Sequence, residues 1–468
     1  MPRDDSAPPA DGKAIIISPS APMTVAGTFL NHVYGDERYP RLVRHRGVFY
    51  QWNGTAWSEI GEEPIRAKIY DFLAKCFRSG EKGLDPIHPN IKLVNEVLAA
   101  LKAVALIGDE VEPPVWLGGD ERPSPNEIVV FQNGLLHLPT LDLIPPTPDF
   151  FTLSALGVEW DPNAPEPKRF LAFLKQLWPD DQESINTLQK IFGYLLTRGT
   201  KLQKAFMLVG PPRSGKGTIG RVLTALVGKQ NVTSPTLSTL SGRFGRASLI
   251  DKLIAIIGDA RVGRDTDPVA IAEHILSITG EDAVTIERKN KDDWIGRLSV
   301  RFVVLCTEVP QMADDSAGIA DRFIILQLVK SFLGQEDLDL TDGLLRELGS
   351  IAVWSVAGWH ALFGDKGSGT IAQPESAQGH VDDIKDLASS IKHYLDERCE
   401  FGPDYHVEKA VLYKDHCSWR EAQGLKAIAQ AVFGRKLRTA FPGLAYYHPD
   451  SEQGRGRPKH YLGLRLRR

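Results

Sequence analysis

A chain of 468 residues is long enough for about three domains, and 42% hydrophobic with 24% charged residues excludes a fibrous or wholly disordered protein. The net charge of −4 names no partner, but residues 426–468 hold ten Lys/Arg against two Asp/Glu, a balance of +8 that leaves −12 for the remainder. That asymmetry points either to an anionic partner for the C-terminal end or to a basic tail in solvent.

In chain order, residues 1–25 are rich in Pro, Ala, Ser and Asp without a period and read as a disordered leader. Residues 47–52 and 56–60 flank Asn53-Gly54, a hairpin signal, and helical stretches follow over 64–77 and 91–107. The aromatics Phe49, Tyr50, Trp52 and Trp57 form either a hydrophobic hairpin face or a base-stacking surface. Residues 129–136 read as a strand and tight turn, and the proline-rich stretch 139–148 marks a boundary. Apolar stripes at helical spacing then run over 167–199.

The most informative stretch is Ala205–Gly228. An apolar run of strand length, Ala205–Val209, leads into Gly210, Pro211, Pro212, Arg213, Ser214, Gly215, Lys216, Gly217 and Thr218. Ile219, Val222, Leu223, Leu226 and Val227 then recur at helical spacing, and Gly228 stands where a helix stops. Strand, glycine-rich loop and helix in this order are the setting of a phosphate-binding loop. Backbone N–H groups curl around phosphate, the helix N-terminus adds partial positive charge, and Lys216 reaches the terminal phosphates. Gly217 takes the usual Ser/Thr position, and the hydroxyl comes one residue later at Thr218. The stretch implies binding of a nucleoside triphosphate.

Further apolar runs at 253–257, 301–305 and 323–328 alternate with helical or polar segments, the pattern of an α/β domain with a mostly parallel sheet. Asp259 ends the first of them, where a carboxylate holds Mg²⁺ beside the phosphates. Ala260 follows in place of a second acid, so either Asp259 serves as base too or Glu308 contributes. Thr307 is placed to touch the γ-phosphate or the lytic water, or else caps the next turn. Arg322 precedes a strand and is either offered to a neighbouring subunit's nucleotide or paired with Asp321 or Asp314. Residues 279–291 suggest a hairpin on which Arg288, Lys289 and Lys291 grip a phosphate backbone, or an exposed charge-mixed loop.

Residues 365–380 are a Gly/Ser/Gln linker. Helices over 383–398, 409–422 and 426–440, then strands 444–448 and 460–466, suggest a winged helix-turn-helix. Its DNA-facing cations are Arg435, Lys436, Arg438, Arg455, Arg457 and Lys459. Cys76, Cys306, Cys399 and Cys417 are scattered, without C-x-x-C or a matching His pair. They argue against zinc and a disulfide scaffold, and they fit a reducing compartment. No apolar run nears the roughly 18 residues of a membrane span, and no signal region opens the chain, so no membrane partner is expected.

Together, Gly210–Thr218, residues 242–261, Thr279–Lys291 and Val304–Leu326 resemble the helicase part of the phage and plasmid primase-helicases, superfamily 3 AAA+ ATPases. The resemblance runs from about residue 126 to the C-terminus, and a Lys-Gly-Thr loop ending is familiar in that group. It implies a chain divided into a leader (1–25), an N-terminal α+β domain of unknown role (26–120), a helical collar region (121–200), an ATPase domain (201–364), a linker (365–380) and a winged helix (381–468). It further implies ATP and Mg²⁺ held by Lys216, Thr218 and the acid Asp259, a pore hairpin bearing Lys289, and Arg322 as an arginine finger. The implied function is an ATP-driven, ring-forming DNA helicase, hexameric, moving on single-stranded and forked DNA in the cytoplasm of a bacterial host. No primase core is expected in the residues before the match, so priming falls to a separate polypeptide. The family's usual Asn is replaced by Thr307, which bears on hydrolysis more than on binding. Two other readings stand beside it, an ATP-switched DNA-binding initiator or regulator with little unwinding and a small-molecule nucleotide kinase.

Overall fold

Apolar runs flanked by turn residues fold into short strands throughout, and the computed structural model describes residues 14–35, 40–81, 83–119, 122–258, 260, 266–289, 291–310, 312, 318–388, 390–423, 427–441, 444–447 and 459–467. The chain divides into two units, 1–160 and 161–468.

In the first unit, three helices (Pro22–Tyr34, Glu62–Leu73 and Ile91–Val104) bury Phe29, Phe72, Val94 and Leu101 in one core. The segment read as a leader is structured from residue 14 onward. Ile15 and Ile16 pair in parallel with Cys76 and Phe77, and Pro22 opens a helix in the first-turn position where a missing N–H costs nothing. The Asn53-Gly54 hairpin forms, with Trp52 opposite Trp57 and Asn53 Oδ1 accepting from the N–H groups of Thr55 and Ala56, both at 3.0 Å. Phe49, Tyr50 and Trp57 are buried, and Tyr50 and Trp57 meet the Phe151 ring edge to face. The aromatic hairpin face is therefore core. The region 121–200, expected as a helical collar, runs across both units. The strand and tight turn read at 129–136 form as Ile128–Phe131 and Gly134–His137 around Asn133-Gly134, and Asp142–Ile144 adds a third antiparallel strand, so only the later part of the region is helical.

In the second unit, helices α1 (Lys168–Leu177) and α2 (Gln182–Leu195) come first, α2 capped by Asp181, whose Oδ1 accepts from Ser184 N at 2.9 Å. The sheet strands are β1 (Ala205–Val209), β2 (Val232–Thr233), β3 (Ile254–Gly258), β6 (Arg301–Cys306) and β7 (Phe323–Gln327). Between them lie α3 (Lys216–Val227), α4 (Leu237–Ser241), α5 (Pro268–Thr279), the hairpin β4 (Ala283–Arg288) and β5 (Lys291–Arg297), and α6 (Gly318–Arg322). The five strands run parallel in the order β2-β3-β6-β1-β7. Every residue of β1 is buried, as expected for a strand covered on both faces.

Helices α7 (Leu340–Leu345) and α8 (Leu348–Phe363) follow. Helix α8 packs on α2 at a distance only glycine permits. A Cβ at Gly193 would lie 2.2 Å from Trp359 N, and one at Gly358 would lie 2.0 Å from Gln189 O. Arg301 opens β6 fully buried, donating to the carbonyl of Leu195 at 3.1 Å, of Ser299 at 2.9 Å, and of Thr197.

Residues 365–380 are not a free linker. Gln373 lies along edge strand β7, its Oε1 accepting from Ile325 N at 2.9 Å and its Nε2 donating to Ile325 O at 2.8 Å, while Ile371 and Ala377 are buried. One polar side chain replaces a strand's pairing there, which composition does not reveal.

The C-terminal part runs α9 (Gln378–Ala388), α10 (Ser390–Arg398), β8 (Cys399–Glu408), α11 (Lys409–Ala422), α12 (Gln430–Ala440), β9 (Ala445–Tyr447) and β10 (His460–Leu466). The antiparallel sheet has order β8-β10-β9. Strand β8 does not appear in the sequence pattern. It buries only Cys399 and Val407, and its pairing slips around Gly402-Pro403.

Gly358→Ala is expected to destabilise the second unit by about 2 kcal/mol, because the α2–α8 contact has no room for a methyl group. Urea unfolding followed by the fluorescence of Trp354 and Trp359 checks this, and an unchanged midpoint would contradict the close approach.

Candidate functional site

The glycine-rich loop connects the carboxyl end of β1 to the first turn of α3. Gly210 cannot be larger, since a Cβ would lie 2.4 Å from Leu328 O, and Gly215 sits at φ +92°. Arg213 takes the left-handed region too, at φ +60°. The crest of the loop is held from outside. Ser331 Oγ donates to Pro212 O at 2.8 Å, Phe332 N donates to Arg213 O at 3.0 Å, and Arg213 Nε lies 3.6 Å from Glu336 Oε1. Beneath it, a Cβ at Gly215 would meet Leu177 and Phe173 of α1.

Lys216 turns its ammonium into the hollow of the loop, donating to Gly210 O at 2.6 Å, Pro211 O at 2.8 Å and Ser214 Oγ at 3.0 Å. Burial lowers its pKa, while the neighbouring Cys306 acts in the opposite sense. Three loop oxygens thus gather on one cation beside a left-handed glycine, and a phosphate would offer Lys216 stronger anionic acceptors. Thr218, the third residue of α3, is buried. Lys216 and Thr218 are the side chains of this loop end that would hold a phosphate and a divalent cation.

The neighbouring strands bring the other candidates to this edge. Gly210 N donates to Cys306 O at 3.2 Å, so Thr307 and Glu308, both exposed, emerge beside the loop. Gly258 closes β3 opposite Leu305, and Asp259 itself lies outside the described residues. Arg322 is elsewhere. Ala205 pairs with Phe323 and Val209 with Gln327, so Arg322 stands at the amino edge, a strand length of about 16 Å from the loop. There its Nη1 donates to Gln203 Oε1 at 2.7 Å, and Lys204 donates to the Asp321 carbonyl. Lys204 has its pKa lowered first by burial and then by Arg322, against Asp321.

The expected hairpin forms as β4 and β5, with Arg288 opposite Lys291 and a register shift between Ile286 and Arg288. Val284, Ile286 and Trp294 anchor it in the core, and Lys289 is exposed in the turn. Arg288 Nε is turned back on the hairpin, donating to Asp292 O at 2.8 Å. The side chain of Lys291 lies outside those described. Residues that sequence reasoning had quoted without a role flank the hairpin. Arg243 pairs with Glu287 at 2.5 Å, Arg246 donates to Thr285 O at 3.2 Å, and Phe244 is 49% exposed.

In the C-terminal part, Arg438 is exposed on α12 with its Nε on Gly434 O at 3.1 Å, and Lys436 is half-buried. Lys459 meets a residue the sequence reading missed, Lys409, whose N–H donates to Lys459 O at 2.9 Å. The pKa of Lys409 is lowered first by burial, then by Lys459 and Arg438, which marks a cluster of three cations. Its signal, a Lys opening a helix, is too common to stand out in a sequence. The side chain of Arg435 and all of Arg455 and Arg457 lie outside what is described.

Among the described residues no group of three or more His, Cys, Asp or Glu is placed to hold a metal ion, and no helix is long and apolar enough to cross a membrane.

Residues 27–179 match the family described as D5 N terminal like, and residues 208–322 match the Family of unknown function (DUF5906). Among solved structures, the A form apo structure of the NrS-1 C terminal region (305–718) superposes with a TM-score of 0.52 at 12% identity, covering 94% of this chain and 99% of that one. The fold is similar to that of the NrS-1 C terminal region. Another A form apo structure of that region gives 0.51 at 11% identity, covering 97% of this chain and 100% of that one. A third apo structure gives 0.50 at 10%, covering 94% and 99%. The likeness is one of fold, extending over nearly the whole of both chains. The first family match ends just after α1, with α2 and β1 between it and the glycine-rich loop, and the second spans the loop, the hairpin and Arg322.

Burial raises the thiol pKa of Cys76 to about 11 and those of Cys306 and Cys399 to about 12. At pH 8 the native chain is therefore expected to react with a disulfide reagent at no more than one of its four thiols, the half-buried Cys417, and at all four once unfolded. Two or more fast thiols in the native chain would contradict the burial of Cys306 behind the loop.

Proposed function

We propose that this chain is an ATP-driven DNA helicase that works as a ring, probed by single-stranded and forked DNA, in replication of a phage, plasmid or integrated element within a bacterial cell. The observation that carries the reading is the polarity of the parallel sheet. Lys216, Thr218, Thr307 and Glu308 stand at its carboxyl edge and Arg322 at its amino edge. Within one chain Arg322 does not reach the loop, so it serves a triphosphate held by a neighbouring copy, and a closed ring is the assembly that gives every loop an arginine. The strand order β2-β3-β6-β1-β7 supports an AAA+ ATPase domain. Similarity to the family described as D5 N terminal like supports a place in DNA replication.

In this reading Lys216 would leave the loop carbonyls for the phosphates, and Thr218 with Asp259 would hold Mg²⁺, whose charge would offset that of the phosphates. Thr307 and Glu308 position water at the open edge. Lys289 carries the phosphate backbone of the single strand, and the exposed Phe244 beside it offers a face for a base. The C-terminal order helix–strand–helix–helix–strand–strand supports a winged helix whose DNA face includes Lys409, Arg438 and Lys459.

A second reading, an ATP-switched initiator with little unwinding, is favoured by Thr307 standing where a side-chain amide is usual. Forked-duplex unwinding separates the two, since the helicase reading requires strand displacement that depends on ATP.

Lys216→Ala is expected to abolish binding of a fluorescent ATP analogue and DNA-stimulated hydrolysis while the chain still binds duplex DNA. Arg322→Ala should retain nucleotide binding but lose hydrolysis by about 10³-fold, and should inhibit wild-type chains mixed with it. Full hydrolysis by Arg322→Ala would sink the shared-site arrangement.

A further inference from the structure

The loop helix carries a second cation that the scheme above does not use. Arg221 stands three residues after Thr218 on α3, so both face the same side. Its Nη2 donates to Thr218 Oγ1 at 3.0 Å. The same guanidinium reaches α7, with Nε and Nη2 each donating to Thr341 Oγ1 at 3.3 Å. Gly217 lies beside this crossing, where a Cβ would stand 3.4 Å from Arg221 Nη1, an ordinary contact.

The Thr218 hydroxyl has two lone pairs, and Mg²⁺ held at this loop end would take one of them. A guanidinium on the same oxygen places a second positive charge within a few ångströms of that cation, at a residue whose hydroxyl is shielded from solvent. The two are competitors for Thr218. Arg221 is exposed but has a second holding point in Thr341, so on leaving Thr218 its grip shifts toward α7.

We propose that Arg221 is a positioning residue that competes with Mg²⁺ for Thr218 and passes the outcome to α7 through Thr341. The proposal rests on the reading of the loop as a magnesium–nucleotide site. It assigns α7 the role of sensing whether the nucleotide has its metal.

The test uses the full chain, a fluorescent ADP analogue and a Mg²⁺ titration. Arg221→Gln is expected to lower the Mg²⁺ concentration at half-maximal enhancement of nucleotide binding by threefold or more. Thr341→Val, which removes the alternative holding point, should raise it. In the wild type, adding Mg²⁺ to the nucleotide-saturated chain should change hydrogen exchange across residues 340–345, and in Arg221→Gln that change should vanish. An Mg²⁺ midpoint for Arg221→Gln equal to or above that of the wild type would overturn the proposal, as would wild-type exchange in 340–345 indifferent to Mg²⁺. Failure of the wild type to bind the nucleotide at all would instead overturn the functional reading beneath it.

Discussion

A positive charge buried at the start of a central strand holds the second unit together. Arg301 is closed off from water, with Nη1 and Nη2 donating to main-chain carbonyls and the Tyr194 ring 5.6 Å from the guanidinium. Burial lowers its pKa to about 10, which leaves it charged at neutral pH. The carbonyls it takes from Leu195 and Thr197 belong to the end of α2, which has no helical donors left for them. One side chain thus terminates the helix before the loop and sets the starting point of β6. Removing a partner from such a buried charge costs several kcal/mol. Since β6 is short and straight, its other end, Cys306 and Thr307, is positioned beside Gly210 by the same contact.

That arrangement gives the sheet two chemically different edges. The carboxyl edge collects glycines, hydroxyls and one lysine held by backbone oxygens. The amino edge collects Lys204, Arg322, Arg198 and Arg301, the last two near enough that, after burial, the charge of Arg198 also lowers the pKa of Arg301. Parallel strands make this separation unavoidable, because every strand starts on one side and finishes on the other. A site that needs both chemistries has to be made from two copies or remain incomplete.

Much of the second unit was legible in the sequence because its core strands are continuous apolar runs, 205–209, 301–305 and 323–328, set between helical stripes. The loop was legible for a different reason, since its glycines answer to backbone geometry at fixed spacing. What escaped was held by single polar side chains or by position alone. Strand β8 has neither alternation nor an apolar run, and Gln373 looks like any linker residue until Ile325 is beside it. The strand and tight turn at 129–136 were legible from Asn133-Gly134, while the third strand, Asp142–Ile144, was hidden within a proline-rich stretch read as a boundary. Arg221 and Lys409 were passed over because a cation one turn into a helix, or at its first residue, is ordinary; only their neighbours distinguish them. Of the two residues expected to hold a metal, Thr218 stands on the first turn of α3 with Lys216, while Asp259 lies outside the described residues.

The amide of Gln373 has a consequence for how copies of this chain can meet. An unpaired outer strand invites another chain to extend the sheet, and long flat edges are the usual route to unregulated polymers. Here β7 has its outward N–H and C=O at Ile325 already taken by one side chain, and the opposite border, β2, is only two residues long. Backbone zippering between copies is therefore blocked at both borders of the sheet. Any contact between copies would then fall to side-chain surfaces, which are more readily made and broken than a shared backbone ladder.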